Sequence, residues 1–153
     1  MTFTNWIQIF RGFQRLFTVF NFAYPLTLVH GDLHFNNIAS RGDNYIFFDW
    51  TDACIAPPFF DMMTLFFVDN PKDDSVVELR HTYLSEWLLY ASMEALLQAW
   101  EIARPLCALH YAVTNQYLVK NLEPRTKHEY KHLLPKHLRY LLTFTEDFVK
   151  NDK

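Results

Sequence analysis

A chain of 153 residues, 50% hydrophobic and 18% aromatic, is long enough to bury a real core and too mixed in composition to be disordered or repetitive. Its formal net charge of −3 supplies no basic face for nucleic acid. Its two cysteines, Cys54 and Cys107, form neither a CxxC pair nor a zinc-ligand spacing, and their apolar neighbours predict buried free thiols in a reducing cytosol.

Along the chain, Trp6, Ile9, Phe10, Phe13, Leu16, Phe17 and Phe20 recur at three- and four-residue spacing, with Arg11, Gln14 and Arg15 on the other side. That pattern predicts an amphipathic leading helix within residues 1–23 that packs on the domain. The arginines interrupt any signal-peptide core, and the longest uncharged run, Leu16 to Gly31, is too short to span a bilayer; the expectation is a cytoplasmic protein without a membrane span. Pro25 ends the helical pattern, and Leu26 to Val29 reads as a short extended run. Ile38 and Ala39 are then separated from Tyr45, Ile46, Phe47 and Phe48 by "SRGDN", which predicts two strands joined in a hairpin. From Phe59 the pattern turns helical. Residues 61–68 form one candidate helix, and Leu84, Trp87, Leu88, Ala91 and Ala95 mark a second. Leu106, Leu109, Val113 and Tyr117 continue that face past an expected kink at Pro105. Pro124 and Thr126 open a last helix through Leu133, Leu138, Leu141 and Phe148, with Pro135 inside it. The predicted fold class is α+β, mostly α: leading helix, small β hairpin with polar loops over 24–50, and a helical bundle over 58–150, in one domain.

Between the extended run and the hairpin lies "LVHGDLHFNN", residues 28–37, and the hairpin returns to "FFDW". Polar side chains crowded at the end of an apolar segment are costly unless they hydrogen-bond or hold something. The cluster reads His30, Gly31, Asp32, four residues, Asn37, a hairpin and then Asp49. A protein-kinase catalytic loop has the same order: a histidine, an aspartate, an asparagine five residues on, and a second aspartate after a short hairpin. The spacing has a chemical reason. An aspartate at the loop's start can accept a substrate hydroxyl's proton, while the asparagine carbonyl oxygen and the second carboxylate are hard donors for Mg²⁺ on phosphate oxygens. Asp32 is the candidate base, and Asn37 and Asp49 are the candidate metal ligands.

"HGDLHFNN", "FFDW" and the following "PPFFD" resemble the aminoglycoside phosphotransferase and choline kinase superfamily, whose catalytic loop reads HGDxHxxN and whose metal aspartate often precedes tryptophan. The resemblance is close over residues 24–68 and general beyond them. It implies the carboxy-terminal lobe of a kinase-like fold that moves the γ-phosphoryl of ATP, with Mg²⁺, to a hydroxyl of a small molecule such as an aminoglycoside, choline or a sugar. It also implies that His30 and Asp61 support the loop by hydrogen bonds while His34 shapes it. Thr51 and Asp52 stand where many relatives have an acidic residue directly after the tryptophan, and Ala56 where they often have glycine; both bear on substrate choice more than on reaction type. No lysine precedes Lys72 and no glycine-rich loop is present, so the nucleotide-binding lobe is expected to be missing, its residues unknown, and supplied by a longer enzyme or a partner chain. Glu86, Glu94 and Glu101 are candidates for attracting a cationic substrate, against a solvated helix face.

Two other classes compete. His30, Asp32 and His34 alternate, so on an extended strand they would share one face, as ligands of a metal-dependent hydrolase do. The other histidines show no HExxH pattern to complete such a site. A lobe lacking its nucleotide half could instead persist as an inactive remnant or interaction module.

Overall fold

The computed structural model of the chain describes residues 25–67 and 72–151. The leading helix predicted for residues 1–23, and Val68 at the end of the helix predicted for 61–68, lie outside them. The described chain falls into two compact units, one holding residues 25–67 and 72–100 and the other residues 101–151.

In the first unit, β1 (Thr27–Val29) follows Pro25 as expected and buries Val29 while Leu28 faces outward. Its partner is β4 (Cys54–Ala56), antiparallel, with Leu28 opposite Ile55 and Val29 opposite Cys54. β2 (Ile38–Arg41) and β3 (Asn44–Phe47) form the predicted hairpin, in register from Ile38↔Phe47 to Arg41↔Asn44. The turn is tighter than "SRGDN" suggested: only Gly42 and Asp43 stand between the strands, and Gly42 supplies the positive φ (62°) at the first loop position. Cys54 is exposed on β4, which corrects the expectation that both cysteines are buried; Cys107 is buried, and both are free.

A 3-10 turn, Pro58–Met62, leads into the short helix α1 (Met63–Phe66), in place of one helix beginning at Asp61. α2 (Asp74–Ser85) starts where the Asp73 carboxylate accepts the Ser75 amide N–H at 3.0 Å, an N-cap bond. The helix predicted through Leu84, Trp87, Leu88, Ala91 and Ala95 does not exist as one element. After Ser85 the chain tightens into three-residue turns, Trp87 N–H to Leu84 carbonyl (3.0 Å) and Leu88 N–H to Ser85 carbonyl (3.3 Å), and Ser92 then caps a new helix through Ala95 and Leu96. The apolar spacing straddles that break because both sides contribute buried residues, Leu84 before it and Leu96, Ala99 and Trp100 after it.

α3 (Met93–Asn121) contains Pro105, and the boundary between the two units falls within this helix. The second unit continues with α4 (Lys127–Tyr130) and α5 (Leu133–Asn151). The single last helix expected there is divided at Lys131 and His132, and Pro135 stands in the first turn of α5, where its missing N–H is not needed. Ala103, Cys107, Ala108, Ala112 and Asn115 on α3 are buried, as are His137 and Phe144 on α5. Arg104 lies 4.3 Å above the Phe144 ring and pairs with Glu101 at 2.6 Å, so Glu101 is engaged in an ion pair.

His137 Nδ1 lies 2.9 Å from the Leu133 carbonyl and 3.1 Å from the Asn115 amide, and its ring stacks on Tyr111 at 5.5 Å. Burial holds its proton affinity below the ordinary value of 6.5, against the backbone bond to Leu133, which raises it. The unfolded chain therefore binds this proton more tightly than the folded one. Its contribution to stability is full above 6.5 and is lost as the pH falls from there towards the lowered folded value. Urea melts of wild type and His137→Gln at pH 7.5 and 5.5 are expected to show a smaller acid loss in the variant; equal losses would remove His137 from the account.

Candidate active site

The loop after β1 is held by one carboxylate. The amide N–H groups of His30 and Gly31 donate to Asp61 Oδ1 at 2.7 and 3.1 Å. Asp61 sits in the Pro58–Met62 turn, which is held in turn by the Tyr83 hydroxyl donating to the Pro58 carbonyl at 2.8 Å. Thr64, one turn on, donates its hydroxyl to the Leu33 carbonyl at 2.8 Å and ties down the loop's middle. Burial pushes the Asp61 carboxyl above its ordinary 3.8, and the two amide bonds and His30 pull the other way. Burial, and then the Asp61 charge, also push the Tyr83 phenol well above its usual range.

Removing Asp61 and neutralising it are therefore different experiments. Asp61→Ala removes the acceptor of two amide donors and is expected to cost up to about 2–6 kcal/mol, from roughly 1–3 kcal/mol per buried group whose bond is lost. Asp61→Asn keeps an accepting oxygen and removes the buried charge, so urea melts are expected to recover most of that loss. Because its folded value is raised, wild-type Asp61 takes up a proton on folding as the pH approaches 3.8 from above, and this residue gains stability on acidification where most carboxylates lose it.

His30 is almost fully buried, and both of its ring nitrogens are engaged. Nδ1 accepts the Asp32 N–H at 3.3 Å and Nε2 lies 2.9 Å from the Phe48 carbonyl, which can only accept, so the proton is on Nε2. Trp50 packs on the ring at 4.7 Å and anchors its own indole N–H on the Phe47 carbonyl at 2.9 Å. A histidine so occupied has no lone pair for a metal. His30, Asp32 and His34 thus do not form one ligand face, and no group of three or more His, Cys, Asp or Glu among the described residues can hold a metal ion.

Asp32 keeps its side chain partly open while its main chain is tied on both sides. Its N–H goes to His30, and its carbonyl accepts the Asn37 amide N–H at 3.0 Å. Since that carbonyl can only accept, the nitrogen of the Asn37 amide must face it, which turns Asn37 Oδ1 away; no described residue donates to Oδ1. Asn37 closes the 3-10 turn Phe35–Asn37, whose entry is capped by the His34 ring accepting the Asn36 N–H at 3.2 Å.

Asp49 follows the returning strand of the hairpin. The β2–β3 ladder runs one bond beyond its last paired residues, with the Phe48 N–H donating to the Asn37 carbonyl at 3.1 Å, so Asp49 comes directly after the residue bonded to Asn37. It adopts a left-handed conformation with φ 62°, unlike any other described non-glycine residue, and the Thr51 hydroxyl donates to its Oδ1 at 2.7 Å. A non-glycine residue held there costs roughly 1–3 kcal/mol and marks functional turns. Asn37 Oδ1 and the Asp49 carboxylate are hard oxygen donors, suited to a small divalent cation that completes its shell with water and phosphate oxygens.

Gly31 joins the two halves. Its φ is 81°, and a Cβ built on it would lie 2.2 Å from the Asp52 carbonyl oxygen, so the chain just after Asp49 passes directly against the chain just before Asp32.

Hydrogen bonds and close contacts link His30, Asp32, His34, Asn37 and Asp61, and Asp49 follows the residue bonded to Asn37. Glu86 and Glu94 are exposed. Sequence reasoning passed over Tyr83 and Thr64, which act on main-chain carbonyls far along the chain. Thr64 lies one helical turn beyond Asp61, a signal that marks it as its neighbour and does not reveal its partner. Residues 12–110, more than half of the 153, match the model of the phosphotransferase enzyme family. No curated protein and no solved structure matches the chain.

Proposed function

The chain belongs to the phosphotransferase enzyme family, and on that footing we propose that it carries the catalytic half of a kinase-like fold that moves the γ-phosphoryl of ATP to a hydroxyl of a small molecule. In this reading Asp32 orients the acceptor hydroxyl and takes its proton as the hydroxyl oxygen bonds to the γ-phosphorus and the bond to the β-phosphate oxygen breaks, releasing ADP. Asn37 Oδ1 and Asp49 would hold Mg²⁺, which would neutralise charge on the phosphates. Asp61, Tyr83 and Thr64 fix the loop, and Thr51 orients the Asp49 carboxylate. The observation that supports the reading is the Phe48 to Asn37 backbone bond, which carries the ladder to the residue just before Asp49, while the Asp32 carboxylate stays on the same loop, partly open.

Nucleotide-gripping elements would come from a further segment or a partner chain. Apolar exposure on the first unit supports this: Leu26 just before β1, Leu28 and Ile55 on the β1–β4 pair, and Tyr45, Ile46 and Phe47 on the hairpin are all exposed. A two-stranded ribbon with both faces open is marginal without a layer to pack on. Calorimetric titration with Mg²⁺ and ATP, together with ADP release over a panel of aminoglycosides, choline, sugars and amino alcohols, tests the proposal. Acceptor-dependent ADP release, by the chain alone or after addition of a nucleotide-binding lobe, is the expected result. No binding and no release in either state would leave the inactive-remnant reading standing.

A further inference from the structure

We infer that His34 is a positioning residue for Asp32: its ring restrains Oδ2 of the carboxylate and leaves Oδ1 as the oxygen that meets the acceptor hydroxyl. The inference rests on the proposal that Asp32 takes the proton. A carboxylate on a free side chain presents its two oxygens interchangeably and loses rate whenever it turns away, and a misplacement of about 1 Å can cost roughly 10²-fold. Asp32 is restrained on one side only. His34 Nε2 lies 3.4 Å from Asp32 Oδ2, and the Asn37 amide nitrogen approaches the same oxygen at 3.5 Å. No described donor approaches Oδ1.

The protonation of the ring follows from its other contact. The Asn36 N–H donates to His34 Nδ1 at 3.2 Å, which uses that lone pair, so the neutral ring carries its proton on Nε2, the nitrogen 3.4 Å from Asp32 Oδ2. The Asn36 N–H holds the ring from the Nδ1 side, and the His34 carbonyl is fixed separately by the Asn37 N–H at 2.9 Å. The 3.4 Å separation is longer than a good hydrogen bond, as is common in catalytic sites before substrate binds, and both side chains are about a third exposed, at 33% and 37%, within reach of a ligand. One imidazole thus performs two tasks with two nitrogens: Nδ1 caps the turn that ends in Asn37, and Nε2 steadies Asp32.

The two tasks separate by substitution. His34→Gln keeps an amide nitrogen where Nε2 stands and gives up the acceptor for Asn36. His34→Asn keeps an accepting oxygen where Nδ1 stands and gives up the donor to Asp32. The expected result is that His34→Asn loses kcat by about 10- to 100-fold with KM for ATP little moved, and that His34→Gln turns over at least about tenfold faster than His34→Asn. The reverse order, or equal turnover in wild type and both variants, would overturn the inference and leave the phosphotransferase reading intact.

A second readout needs no turnover. Long-range ¹H–¹⁵N spectra of the whole labelled chain near neutral pH are expected to show the His34 ring protonated on Nε2 and bare on Nδ1, with the Nε2 resonance moving in Asp32→Asn. A ring protonated on Nδ1, or an Nε2 resonance indifferent to Asp32, overturns the contact whatever the activity. The expected spectrum with no turnover on any acceptor, with or without an added nucleotide lobe, overturns instead the phosphotransferase reading and the positioning role built on it.

Discussion

Asp32→Ala is expected to lower turnover by about 10²–10⁴-fold, the range over which a positioned general base acts, with melting behaviour close to wild type. The separation of effects comes from which atoms hold the loop. The bonds that tie Asp32 in place use its main chain: its N–H to His30 and its carbonyl to Asn37. The carboxylate makes only the long approaches to His34 and Asn37, so truncating it leaves no buried donor orphaned. Asp49→Asn is the matched variant at the other carboxylate. Asparagine tolerates the left-handed backbone as well as aspartate does, so the turn should survive while the charge is lost. Single-turnover ADP release paired with urea melts checks both, and near-normal turnover in either variant would sink the assignment.

Gly31→Ala is expected to have the reverse profile, with stability and activity lost together. The new methyl would stand 2.2 Å from the Asp52 carbonyl oxygen and 2.9 Å from its carbon, and neither is the flexible end of a side chain. The φ of 81° adds a penalty of its own, of roughly 1–2 kcal/mol for a residue with a Cβ. Relief requires one of two strands of main chain to move, either the one leading to Asp32 or the one following Asp49. A loss of more than about 3 kcal/mol in urea melts is expected, near the upper end for single substitutions. A variant that melts like wild type would mean that the two segments do not touch in solution.

Much of the candidate site is legible because its members are close in sequence and chemically out of place among their neighbours. His30, Asp32, Asn37 and Asp49 stand in or beside strands that read as apolar, and the glycine-bearing turn between them has a recognisable form. The β4 strand was not legible: Cys54, Ile55 and Ala56 have no turn linking them to their partner, which lies across the whole loop and hairpin. The break after Ser85 was hidden for another reason. Apolar spacing records which residues are buried, and Leu84 and Leu96 are both buried although they belong to different helices. Tyr83 and Thr64 left no trace because their partners are carbonyl groups, which every residue has. Asp61 was found by its place after two prolines in the family pattern, and the structure adds the two amides it receives.

The hairpin carries Asn37 and Asp49 at its mouth, while Gly42 and Asp43 form its tip with nothing within 4 Å of a Cβ built on Gly42. Lengthening the strands together would push the tip further out and leave the mouth where it is. The number of residues between the asparagine and the aspartate is therefore a measure of the hairpin's reach, and the bond from Phe48 to Asn37 that precedes Asp49 is set independently of it, at the first rung of the ladder. Insertions at the tip are the changes this half of the molecule is built to absorb, and a search for the same chemistry in other chains should let that count float while holding the rung.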